Sequence, residues 1–196
     1  MLKRTSEEKQ NPTEMDIREK INAISHSPVL QQEYLENLLK RIAIQPSIKI
    51  FASRILADVY ARRGMWASAA KTMENAASTF LNPNTKRDIY KQAAVLYLKA
   101  MDLLMAEDCF RKAIENSMEK EKPFLKKEIE QMHLAEAANM ENNGKRARAV
   151  EVYERMLRLN PDPLLQRRIQ ERLVVLYEKL GRIADHLTLR DSLMKK

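Results

Sequence analysis

The chain has 196 residues and a formal net charge of +8, with 35 basic against 27 acidic side chains and only 3 glycines, 7 prolines and 1 cysteine. A single cysteine excludes an internal disulfide framework and fits a reducing compartment, and three unclustered glycines exclude a phosphate-cradling loop of the usual form. The abundance of Ala, Leu, Glu, Lys, Arg and Met is a helix former's vocabulary, while the basic excess suits nucleic acid, anionic lipid or acidic peptide partners, or solubility alone.

Residues 1–12 are charged and polar, read as a disordered arm, and lack the apolar core of a secretory signal. The longest apolar run, Ala93 to Leu98, is too short to span a bilayer, so no membrane insertion is expected and the expected location is cytoplasmic. Residues 13–46 are predicted to form an N-terminal capping helix pair. Its first helix, Thr13 to Ile24, carries Met15, Ile17, Ile21 and Ile24 as an apolar stripe. Ser27 and Pro28 then open a helix with Leu30, Tyr34, Leu38 and Ile42 at every fourth residue, widened by Leu35 and Leu39.

From 47 to 196 the punctuation divides the chain into four further helix pairs, at about 47–82, 83–120, 121–161 and 162–196. Their helices are predicted at 47–63 and 66–80, 84–101 and 103–117, 123–143 and 145–158, and 163–180 and 182–194. All seven prolines fall just before or at the start of an amphipathic run, where a missing N–H is harmless. Gly64, Gly144 and Gly181 stand just past the end of the first helix of a pair, the place for a left-handed residue. Met101 holds that place in the second pair, so its turn should differ or carry strain.

A pattern recurs through these pairs. It runs Ala57, Tyr60, Gly64, Trp66, Ala69, Met73, Ala76, then Ala94, Tyr97, Met101, Leu103, Ala106, Phe110, Ala113. It returns as Ala137, Met140, Gly144, Arg146, Ala149, Tyr153, Met156 and fades through Val174, Tyr177, Gly181, Ile183, His186, Arg190, Leu193. Recurrence of this kind marks a stack whose units bury their apolar faces on one another. The alanines should lie where helices approach most closely, with Tyr60, Met73, Tyr97, Phe110 and Tyr153 filling the spaces between.

These residues resemble the tetratricopeptide repeat family over about 50 to 194. The steps Tyr60, Tyr97, Met140, Tyr177 depart from a uniform period, and the extra length lies around Met118 to Ile129. The resemblance implies an all-α fold, a right-handed α-solenoid of antiparallel helix pairs, acting as a protein–protein interaction scaffold. First helices would line a concave groove that binds a peptide or partner helix. Its side chains would include Phe51, Arg54, Asp58, Arg62, Lys91, Val95, Lys99, Leu134, Glu141, Glu171 and Glu178, together with Gln131, Ala138 and Val175. The groove is then expected to be basic toward its N-terminal half and acidic toward its C-terminal half, orienting a partner with its acidic end toward the former. A chaperone-tail carboxylate clamp is not expected, because Asp58 stands in the place of its Asn and Ala135 in that of its Arg.

No enzyme is expected. His26, His133 and His186 are scattered, Cys109 has no adjacent His, and neither a metal site nor a cofactor site is suggested. Two other readings stay open. One is an RNA-binding helical repeat using Arg54, Arg62, Arg63, Lys71, Lys86, Arg87, Lys91 and Lys99, with Phe51 and Tyr90 as stacking rings. The other is a structural subunit of a larger assembly, repacking Met65, Met105 and Met118 on a neighbour.

Overall fold

The computed structural model describes residues 12–41 and 44–194, and among them there are ten α-helices and no strand. They are α1 (Glu14–Ala23), α2 (Pro28–Leu39), α3 (Pro46–Arg62), α4 (Trp66–Ser78), α5 (Pro83–Ala100), α6 (Leu103–Glu115), α7 (Lys122–Asn142), α8 (Arg146–Arg158), α9 (Pro163–Lys179) and α10 (Ile183–Met194). The arm expected at 1–12, Pro12 apart, and the stripe residue Ile42 lie outside the described residues.

The helix starts follow from local chemistry. Thr13 and Asp16 close a capping box on α1, and Asn82 and Asp162 each accept two backbone N–H bonds at the starts of α5 and α9. Proline occupies the first turn of α2, α3, α5, α7 and α9. At the ends of α3, α7 and α9 the three glycines adopt φ of 73°, 74° and 70°. The next N–H returns to the carbonyl of Tyr60, Met140 or Tyr177 at 2.9, 2.8 and 2.8 Å. Met101 does the same at φ 64°, with Asp102 N–H on Tyr97 at 3.0 Å. The turn after α5 is therefore not different in kind. It carries the left-handed penalty of a residue with a Cβ, roughly 1 kcal/mol, while the side chain packs against the core of the following helices.

From α2 onward each helix packs on the next, α1 leans on α3, and α5 also meets α7. All eight alanines of the repeat pattern are buried, none more than 5 % exposed, and Tyr60, Met73, Tyr97, Phe110 and Tyr153 are buried with them. The core has two parts. One runs from Ile17 to Ile129 and the other from Ala137 to Tyr177, with α7 contributing Leu125 and Ile129 to the first and Ala137 and Met140 to the second. The packing of α6 on α7, at the extra residues before Pro123, is slight beside that of α4 on α5. The C-terminal helix α10 buries no residue.

A polar tie recurs between pairs. Tyr60 of α3 donates its hydroxyl to Glu36 of α2, Tyr97 of α5 to Glu74 of α4 at 2.8 Å, and Tyr177 of α9 to Glu154 of α8 at 2.9 Å. The tyrosine lies 24, 23 and 23 residues after its acceptor. At α6–α7 both halves are replaced, since Met140 stands at the tyrosine position and Arg111 follows Phe110 where Glu74 follows Met73. There His133 of α7 packs against Phe110, ring centroids 5.0 Å apart, and Glu107 of α6 pairs beyond it with Arg155 of α8.

Candidate partner-binding cleft

A cleft of about 940 Å³ opens beside α3 and α5, with Trp66 and Met73 of α4 and Met132 of α7 completing its wall. Arg54, Asp58 and Arg62 follow one another at four-residue steps along α3, and Lys91, Val95 and Lys99 do so along α5, so each set forms one helix stripe. The cleft brings all six together. Its floor is apolar, made by Ala57, Ala61, Met73, Leu96 and Met132. Phe51 is not part of it. That ring is half-buried against the core and covered by the Arg18 guanidinium, 4.8 Å from its centroid.

Four cations and two carboxylates, Asp58 and Asp88, line the cleft. They are not equivalent. Lys91 is held by Glu128 at 2.9 Å and by Asp88 at 3.8 Å, with only 18 % of its side chain exposed, so it is neutralised within the fold. Arg62 pairs with Asp58 at 3.2 Å and also reaches Gln31. Arg54 is exposed and makes no ion pair among the described residues. Lys99 places its ammonium 5.3 Å over the ring of Trp66, the chain's one tryptophan. The basic end expected from the sequence thus comes down to Arg54 and Lys99, with Arg62 shared.

The C-terminal part departs further from expectation. Leu134, Glu171 and Val175 line a second cavity of about 390 Å³, but Arg168, Arg172 and Tyr153 line it too, so it is mixed in charge and not acidic. Glu141 accepts from Tyr153 at 2.9 Å and pairs with Arg172 at 2.5 Å. Burial, with Glu141 as acceptor, pushes the Tyr153 hydroxyl up to about 12. Glu171 pairs with Arg167 at 3.1 Å, and exposed Glu178 lines neither cavity. The phase of Arg168 and Arg172 on α9 places them beside the expected carboxylates, and only three-dimensional pairing reveals the cancellation.

A third cavity, of about 250 Å³, is lined by Trp66, Lys99, Glu136, Asn139, Met140, Asn143, Lys145 and Arg148. Trp66 and Lys99 belong to both this cavity and the large cleft. Helix phase does not mark Lys145, Arg148 or Trp66 as groove residues, because they lie at the starts of α8 and α4 and not along the stripes of α3, α5, α7 and α9.

The groups invoked for other chemistry are largely engaged inside the fold. Tyr90 is buried with the Lys112 ammonium 5.7 Å from its ring centre, Arg87 pairs with Asp88 and Glu121 at 3.0 and 3.1 Å, and Lys71 pairs with Glu74. Met65 and Met118 are exposed, but Met105 packs against the core. Cys109 is fully buried, and burial pushes its thiol up to about 12, which keeps it protonated at neutral pH. Among the described residues no group of three or more His, Cys, Asp or Glu is placed to hold a metal ion, and no helix is long and apolar enough to cross a membrane.

No family model matches the chain, and no curated protein matches it. Among solved structures, that of BtubC (BKLC) from P. vanneervenii aligns with 92 % of this chain and 75 % of its own length at 18 % identity, with a TM-score of 0.40. A likeness of that size carries no argument about function.

Proposed function

We propose that the chain is a cytoplasmic, non-catalytic docking scaffold built as a right-handed solenoid of antiparallel helix pairs of the tetratricopeptide type. Its large cleft holds an extended segment or helix of a partner protein, with the partner's acidic end toward Arg54 and Lys99. One observation carries this reading: stripes from α3 and α5, first helices of successive pairs, enclose an apolar floor rimmed by cations that the fold leaves partly uncompensated. Lys91, tied to Glu128, supports the wall and does not contact the partner. RNA binding draws less support, because Phe51 and Tyr90 are each covered by a cation of the protein itself.

Trp66, the one tryptophan, supplies the assay, since its emission reports on the cleft and on the smaller cavity that shares its ring. A designed amphipathic peptide with glutamates at one end should change that emission saturably, and R54E/K99E should abolish the change while leaving the melting temperature nearly intact. An equal response in both proteins removes the cleft from the account.

A further inference from the structure

The 250 Å³ cavity where α4, α5, α7 and α8 meet has a composition unlike that of the cleft it adjoins. Three of its lining groups, Lys99, Lys145 and Arg148, are cations, and none has a carboxylate within ion-pair distance among the described residues. Unpaired cations such as Arg54 occur elsewhere on the fold, but here three of them line one small cavity. Against these three cations stands one carboxylate, Glu136, which is 9 % exposed and accepts only a long 3.4 Å bond from Asn139. Two side-chain amides, Asn139 and Asn143, line the same wall, but they donate to Glu136 and to Asn139 within the fold, so the donors turned to the cavity are the three cations.

We infer that this cavity is an oxyanion pocket that receives a phosphoryl group on a side chain of the segment lying in the large cleft. A phosphoryl group carries nearly two charges and three acceptor oxygens, which matches several convergent donors better than the single charge of a carboxylate. The cavity shares Trp66 and Lys99 with the cleft, so a segment on the apolar floor reaches the pocket without leaving the surface. The occupant rests on the docking function proposed above, whereas the pocket's affinity for a phosphoryl oxyanion stands apart from it.

That separation fixes the experiment. Wild-type protein is titrated with inorganic phosphate, O-phosphoserine, glutamate and sodium chloride at matched ionic strength, reading Trp66 emission and, independently, phosphorus NMR line broadening. Phosphate and phosphoserine should saturate, glutamate and chloride should not, and K145E/R148E should weaken half-saturation about tenfold or more. Lys145 and Arg148 are exposed, so the variant keeps its fold, verified by an unchanged helical circular dichroism spectrum. An equal response to glutamate overturns the phosphoryl assignment, and an unaltered response in K145E/R148E, or no saturable response in wild type, overturns the pocket. None of these results depends on the designed peptide that tests the cleft.

Discussion

His133 shows how far one buried side chain can couple this fold to solution conditions. It is 3 % exposed, lies against Phe110, and holds its Nδ1 2.9 Å from the Ile129 carbonyl. Burial lowers its pKa, outweighing that carbonyl and the Glu107 charge. A base whose folded pKa is depressed adds stability that is complete above its ordinary value of about 6.5 and is lost as the pH falls through the folded value. H133Q should therefore flatten the decline in melting temperature below about pH 6.5. An identical decline in wild type and variant would show that other groups set it. Gly64 acts through the backbone instead. At φ 73°, with nothing within 4 Å of an added Cβ, Gly64→Ala meets only the conformational penalty and should cost roughly 1–2 kcal/mol in chemical denaturation. No steric term is available to enlarge it.

Elements were legible to the degree that their signals are local. From α3 onward helix starts and ends fall within two residues of those expected, since prolines, capping side chains and turn glycines act within one turn, whereas α2 ends at Leu39, short of the Ile42 expected on its stripe. The small residues also read true: Ala106 is fully buried, so Ala106→Leu should overpack its site and lower stability by about 1–3 kcal/mol by the same denaturation measurement. Less legible were features that need two elements at once. Phe51 has the phase of a groove residue, but Arg18 from α1 covers it, and Glu141 has the phase of a free carboxylate, but Arg172 from α9 claims it. The tyrosine ties belong to the same class. Tyr97 donates to Glu74, whose carboxyl burial pushes up but whose bonds from Lys112, Tyr97 and Lys71 hold it below the ordinary range. Tyr97→Phe removes one of those bonds and should cost about 1 kcal/mol. Tyr153→Phe removes a bond to Glu141, which also pairs with Arg172 of α9, and should therefore loosen the α8–α9 contact, as judged by faster hydrogen exchange of α8 and α9 amides.

At the scale of the molecule, the departure from a uniform repeat length between the second and third copies coincides with a change in how the stack is held. Two apolar cores meet within α7, the tyrosine tie is absent at α6–α7, and α7 is joined to the helices before it by Leu125 and Ile129, by His133 with Phe110, and by ion pairs to α5, Arg87–Glu121 and Lys91–Glu128. Quasi-one-dimensional stacks unfold in blocks where an interface is thin. Hydrogen exchange under mild denaturant should accordingly show α7–α10 opening at a lower free energy than α3–α5, and one common opening energy would mean that the two cores act as a unit. The extra residues around Met118 to Ile129 were visible in the sequence, but their consequence was not, because Met140 and Arg111 gain meaning only when aligned with Tyr97 and Glu74. The docking account meets its most direct test in a proton–nitrogen correlation spectrum titrated with the acid-ended peptide. The prediction is that shifts concentrate on the Trp66 indole N–H and on Arg54, Asp58, Val95 and Lys99. Shifts that spare these residues, with the largest at Leu81, Met118 and Phe124, would place the binding surface elsewhere and contradict it.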